Sequence, residues 1–174
     1  VVRKPYSVEI LPEVPAAPKF FVPLKISGPT EFTLYAVWTL GQQEMKYVRA
    51  VTTALDLYAP KLSKEHSVVI GDFNSNAKWD NDHPANLNHT AMLSKMDSFQ
   101  LQSAYHLHYK EEHGLETRNS FFQHRNKMKG HHIDYCFLPK SWIPRIREVD
   151  LGSWPMWHRA SDHCPLLVEV NTEA

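Results

Sequence analysis

Cysteine is scarce in this chain: Cys136 and Cys164 are the only two in 174 residues. Two thiols cannot make a disulfide framework, so the fold must rest on its core, and a reducing, cytoplasmic setting is expected. Long apolar runs are missing too. No stretch approaches the ~20 residues that cross a bilayer, no secretory leader pattern stands at the start, and no membrane partner is expected. Nor is there a surplus of one charge, since 19 Lys+Arg balance 19 Asp+Glu for a formal charge of +0. That excludes an acidic tail, or a basic coat holding nucleic acid by charge alone, while a local basic strip stays compatible. Internal repeats, low-complexity tracts and Gly/Ser linkers are absent. An initial Met is absent as well: Val1-Val2-Arg3 reads as the product of processing or shortening, with a segment missing upstream.

What is present suits one domain over 1–174, with ordinary contents of 43% hydrophobic and 22% charged residues. Six of the 12 Pro fall between Pro5 and Pro29 and predict extended edge segments. Phe20 to Ile26 reads as a strand that Pro23 demotes to an edge or bulge, and Glu31 to Leu40 as a central strand. Tyr47, Val48, Val51, Leu55 and Tyr58 recur at helical spacing, with Pro60 as the stop. Ser67 to Ile70 reads as a buried strand ending at Gly71, and Asn88 to Phe99 as a second helix with Met92, Leu93 and Met96 inward. Phe121-Phe122, Ile133–Leu138, Ile146–Leu151 and Cys164–Val170 supply further strands. Dominant strands with two early helices predict an α/β (α+β) fold: two packed, mostly antiparallel sheets flanked by helices, rather than a parallel βαβ series.

Three segments place acidic, amide or imidazole groups at the ends of apolar strands. In Val69-Ile70-Gly71-Asp72-Phe73-Asn74, an extended chain points Asp72 and Asn74 the same way, suited to holding a water and an oxyanion. A turn in which both merely bond their own backbone fits equally. In His132-Ile133-Asp134-Tyr135-Cys136, alternation puts His132, Asp134 and Cys136 on one face. A carboxylate in an apolar strand needs a partner, and Ser161-Asp162-His163-Cys164 supplies one if the two strands are neighbours. Asp134 would then fix the tautomer of His163, as in general acid–base sites, or simply tie two strands together. Zinc is disfavoured for His131, His132, His163, Cys136 and Cys164, because no CxxC or HxxxH spacing occurs.

Gly-Asp-Phe-Asn, then Ile-Asp-Tyr, then Ser-Asp-His-Cys-Pro-Leu, in that order, resembles the endonuclease/exonuclease/phosphatase superfamily. The wider pattern is similar to a group of bacterial members, through Leu34 to Trp38, Trp79-Asp80, Ser103-Ala104-Tyr105-His106, Gly114-x-Glu116-Thr117 and His132-Ile133-Asp134-Tyr135. The resemblance implies a four-layered α/β/β/α sandwich and a phosphodiester hydrolase, a nuclease above all. It implies that Asp72 deprotonates the attacking water, Asn74 bonds a phosphate oxygen, and Asp134 orients His163 at the scissile phosphate. Asp162 would lie near a divalent ion, Mg²⁺ or Mn²⁺. Asn76, Trp79, Arg118, Arg125 and His132 are the candidates for holding the substrate, either a nucleic acid or a small phosphoester.

The family's principal metal-binding Glu sits in a Gln-Glu segment that would precede Val1. Gln43-Glu44 is not that segment, since it follows the Trp38 strand and begins a helix. The expected domain is therefore a C-terminal portion, its sheet to be completed by the upstream segment. A phosphomonoesterase and a catalytically incomplete binding scaffold are the rival readings. Arg118, His124, Arg125, Lys127 and Lys129 read as a phosphate-binding strip or as a solvated hairpin loop. Trp79 reads as a stacking surface or, equally, as a core or lid residue. His106 and His108 are expected at the surface.

Overall fold

A computed structural model describes residues 2–41, 47–63 and 66–171, and Gln43-Glu44 lies outside them. In chain order the elements are β1 (Ser7–Ile10), β2 (Phe21–Ser27), β3 (Phe32–Trp38), α1 (Val48–Leu62) and β4 (Ser67–Asp72). Next come a 3₁₀ turn (Ala77–Asp82), α2 (His89–Ser98), β5 (Leu101–Ser103), α3 (Ala104–Tyr109), β6 (Phe121–Phe122) and β7 (Gly130–His131). β8 (Asp134–Pro139), β9 (Ile146–Leu151), α4 (Trp154–Trp157) and β10 (Leu166–Val170) complete the described chain.

One six-stranded sheet, ordered β1-β2-β3-β4-β8-β5, carries the fold. Only β3 and β4 run parallel, because α1 connects them; every other neighbour pair in the sheet is antiparallel. Period-two alternation divides the side chains between two cores. Tyr35, Val37, Val69, Tyr135 and Phe137 face α1 and α2, whose Val51, Leu55, Tyr58, Met92 and Met96 are fully buried against them. Val68, Cys136 and Leu138 face the β9–β10 ribbon and α3, meeting Tyr105, Val149, Leu151 and Cys164. Each such aromatic or branched side chain contributes about 1.5–3 kcal/mol on burial. Glu148, Asp150, Leu167 and Glu169 on the ribbon's outer face are exposed. Of the four expected layers, three are thus represented among the described residues: helices, large sheet and small sheet.

Two local expectations need correction. β2 is not an edge strand. It pairs with β3 along its length and with β1 up to Leu24↔Ile10, and Pro23 falls just past that pairing, where its carbonyl accepts from Leu11 N. Helix α1 runs on past Pro60 to Leu62, the proline falling in the last turn, so the helix ends two residues after it rather than at it. Helix α2 begins one residue after Asn88, which caps it: the Asn88 side-chain oxygen accepts from Ala91 N.

Candidate active site

Asp72 and Asp134 end and begin neighbouring antiparallel strands, and the register sets them directly opposite each other. The parallel register sets Trp38 opposite Asp72. By alternation all three project on the face of the sheet turned toward the β9–β10 ribbon. The strand exit is glycine-dependent. Gly71 has φ +144°, and a Cβ there would stand 1.9 Å from the Val37 carbonyl oxygen.

Beyond Asp72 the chain turns at once, with Asn74 at φ +44° rather than extended. The turn reading describes this segment and the extended one does not. Asn74 N donates to Asp72 Oδ1 (2.8 Å), a local turn, while Asn74 Nδ2 donates to Asp72 Oδ2 (2.9 Å) and to Thr39 O (2.8 Å). Both amide hydrogens are committed, so Asn74 is placed to position Asp72, with no donor left over for a phosphate oxygen.

His163 reaches this rung from the loop before β10. The segment around β6 grips it by backbone: Phe122 N donates to Asp162 O (2.8 Å), Cys164 N donates to Ser120 O (2.7 Å), and Phe121 bridges His163. Its Nδ1 lies 3.0 Å from Asp134 Oδ2, and its Nε2 lies 4.0 Å from Asp72 Oδ2. Asp134 accepts only, so Nδ1 carries the proton and Nε2 is the working nitrogen. Asp134 is itself held by Ser120 Oγ, which donates to Oδ2 (2.6 Å) and accepts from Ile133 N and Asp134 N, each at 3.0 Å. Ser120, fully buried, was missed by the sequence reading. A lone serine before two aromatics carries no signal.

Burial, reinforced by the Asp134 charge, pushes the Asp72 carboxyl up from 3.8 to about 6, against the two Asn74 hydrogen bonds and His163. The hydrogen bond that His163 donates to Asp134 raises its imidazole above the ordinary value, against partial burial. The site thus pairs a carboxylate of elevated basicity with an imidazole that favours its charged form. A cleft of about 340 Å³ opens beside them, bounded by Gly71, Asp134, His163 and Trp157.

The other candidates divide. Asp162 is half-buried next to His163. Arg125 is exposed, its guanidinium reaching the Arg159 carbonyl. Arg118 is exposed over the Tyr109 ring. Trp79 is half-buried, edge-on to His131 and under Lys78. Asn76 and His132 are each 1% exposed. Asn76 Nδ2 donates to Glu116, to the His132 carbonyl and toward Tyr135 Oη, and its Oδ1 caps the 3₁₀ turn. His132 precedes β8 and leaves the strand's alternation, so it turns toward Tyr105 and Tyr135 instead of sharing Asp134's face. Neither can reach a substrate at the surface. Two exposed aromatics bracket the site without having been foreseen, Trp38 (52% exposed) and Trp157 (38%).

Asp72, Asp134, Asp162 and His163 do not form a converging set of cation ligands. Among the described residues one such set exists, and it lies elsewhere: His106, His113 and Glu116. No helix of the described residues is long and apolar enough to cross a membrane.

No protein-family profile matches the sequence, and no curated protein does. Solved structures do match in fold. A 3'-5' exonuclease from Neisseria meningitidis superposes with TM-score 0.64 at 14% identity, over 94% of this chain and 70% of that one. The endonuclease domain of TRAS1, a telomere-specific non-LTR retrotransposon, gives TM-score 0.64 at 14% identity over 97% and 68%. An endonuclease/exonuclease/phosphatase family protein from Leptotrichia buccalis gives 0.52 at 15% over 97% and 61%. The chain shares its mixed α/β fold with these solved structures.

Proposed function

We propose that this protein is a divalent-metal-dependent phosphodiester hydrolase whose substrate is a nucleic acid. The observation that carries the reading is His163, bonded to Asp134 through Nδ1 and aimed at Asp72 through Nε2, at the edge of an open cleft. The same constellation on a fold shared with nucleases raises the expectation further, as analogy only.

In this reading Asp72 is the general base. Raised to about 6, it is largely ionised at neutral pH yet basic enough to take a proton from water as the oxygen closes on phosphorus. Asn74 fixes which carboxylate lone pair faces the water. Protonated His163, held by Asp134 and Ser120, places an N–H against a non-bridging phosphate oxygen, where negative charge builds in the transition state. The bond to the leaving oxygen then breaks, and that oxygen takes its proton from solvent. A hydrated Mg²⁺ or Mn²⁺ suits the hard oxygen donor Asp162, since such ions keep several waters and use one or two carboxylates plus substrate phosphate. When bound, it would offset charge on the phosphate. Trp38 and Trp157 flank the rung and offer faces for unstacked bases, and exposed Arg125 is a candidate to meet the backbone.

Relative rates on plasmid, a short oligonucleotide and free nucleotides test the substrate class. The reading expects the oligonucleotide or plasmid to be preferred; fastest turnover of a free phosphomonoester would reverse it. Folded Asp72→Ala and His163→Ala proteins are expected to lose activity, and full activity in both would sink the assignment.

A further inference from the structure

Behind the proposed active site lies a buried histidine cluster for which the hydrolytic reading has no use. His106 sits on α3, just past β5, and is 6% exposed. The imidazole of His113 stacks on it, with ring centroids 3.4 Å apart and an interplanar angle of 15°, so one ring must turn for both in-plane lone pairs to meet a shared ion. Glu116 Oε1 lies 3.0 Å from His106 Nε2, and the Glu116 side chain is only 4% exposed. The ligand atoms of His106, His113 and Glu116 all fall within 4.8 Å of one another.

Each of the three has an outer partner. His106 Nδ1 lies 2.7 Å from Ser103 Oγ, and His113 Nδ1 lies 3.4 Å from His89 Nε2. Glu116 accepts from Gly114 N (3.1 Å) and Asn76 Nδ2 (3.0 Å). Outer hydrogen bonds of this kind orient imidazole and carboxylate ligands around metal ions. His132 adds an independent sign. Its Nδ1 donates to the Arg118 carbonyl (3.0 Å), so its Nε2 carries a lone pair, and that nitrogen is buried with no hydrogen-bond partner.

Two nitrogens and one oxygen match a borderline transition-metal ion such as Zn²⁺ rather than Mg²⁺.

We propose that His106, His113 and Glu116 form a transition-metal site of the zinc class, distinct from the Asp72–Asp134–His163 site and structural in role. It ties the connection from α3 to β6 onto the sheet. Through Asn76, which bonds Glu116 and caps the turn after Asn74, it also stiffens the loop that carries Asp72. The spacing, His-x₆-His-x₂-Glu, matches none of the familiar zinc signatures.

The test uses the whole protein, stripped with chelator and titrated with Zn²⁺ and, for its visible d–d bands, Co²⁺, in excess Mg²⁺. Wild type is expected to take up one equivalent that Mg²⁺ does not displace, with an imidazole-type Co²⁺ spectrum and a higher melting temperature. Glu116→Gln, nearly isosteric, and His113→Ala should lose that equivalent, whereas His163→Ala should keep it. Ser103→Ala, altering only an outer partner, should weaken Zn²⁺ affinity ~10–100-fold. If Glu116→Gln or His113→Ala fails to fold, the wild-type titration and Ser103→Ala still decide. Folded wild type that binds neither ion, or an equivalent lost in His163→Ala but kept in Glu116→Gln, would overturn the proposal.

Discussion

Asp72→Asn separates what the carboxylate does for the reaction from what it does to the fold. The side chain is 13% exposed, and its acidity falls from 3.8 to about 6 on folding. At ~1.4 kcal/mol for each tenfold change in acidity, the ionised form costs about 3 kcal/mol that the protonated form does not. The sign follows from proton binding. Between about pH 4 and 6 the folded protein holds this proton while the unfolded chain has released it, so stability falls as pH rises through that window. Asparagine removes the charge, loses one acceptor for Asn74 at about 1 kcal/mol, and withdraws some support from protonated His163. The variant should therefore gain ~1–2 kcal/mol near pH 7.5 and lose about 1 kcal/mol near pH 4. Urea unfolding of both proteins at both pH values, in EDTA, reads this directly. Hydrolysis should run the opposite way, rising toward neutral pH with a midpoint near 6 in wild type and absent in the variant. A variant less stable by the same amount at both pH values would refute the claim that burial strains Asp72.

Three further outcomes are expected. Gly71→Ala should destabilise by on the order of 3–4 kcal/mol in denaturant unfolding, because its Cβ meets the Val37 carbonyl at a φ that alanine avoids. Ser120→Ala orphans two backbone N–H groups and strips a donor from Asp134; a loss of about 2–3 kcal/mol is expected, with activity reduced, and thermal melts plus rates check both. Trp157→Ala and Trp38→Ala should each weaken oligonucleotide binding by ~1–3 kcal/mol, read as KM, while rates on a small chromogenic diester stay near wild type.

The strands were legible where alternation is unbroken. Tyr135, Cys136, Phe137 and Leu138 divide between two cores as their period dictates, and Asp72 and Asp134 stand at strand ends where polar residues interrupt apolar runs. What escaped reading was tertiary. Pro23 is accommodated inside the sheet only because β1 stops one residue short of it, and no local pattern reports a neighbour's length. His132 follows alternation on paper but precedes the strand, so its face could not be read from spacing. His106 looks like a surface residue at the end of a short helix, and its burial depends on the 110–120 connection folding back over it. Ser120, Trp38 and Trp157 acquire their places from register and loop packing, which residue type alone does not encode.

Hydrolysis of a chromogenic phosphodiester by the purified protein, with Mg²⁺ or Mn²⁺, beside His163→Ala and an EDTA control, tests the central claim most directly. Turnover that disappears both on chelation and in His163→Ala is the predicted result. Folded protein that hydrolyses no diester at saturating metal, or whose turnover survives His163→Ala unchanged, would contradict it.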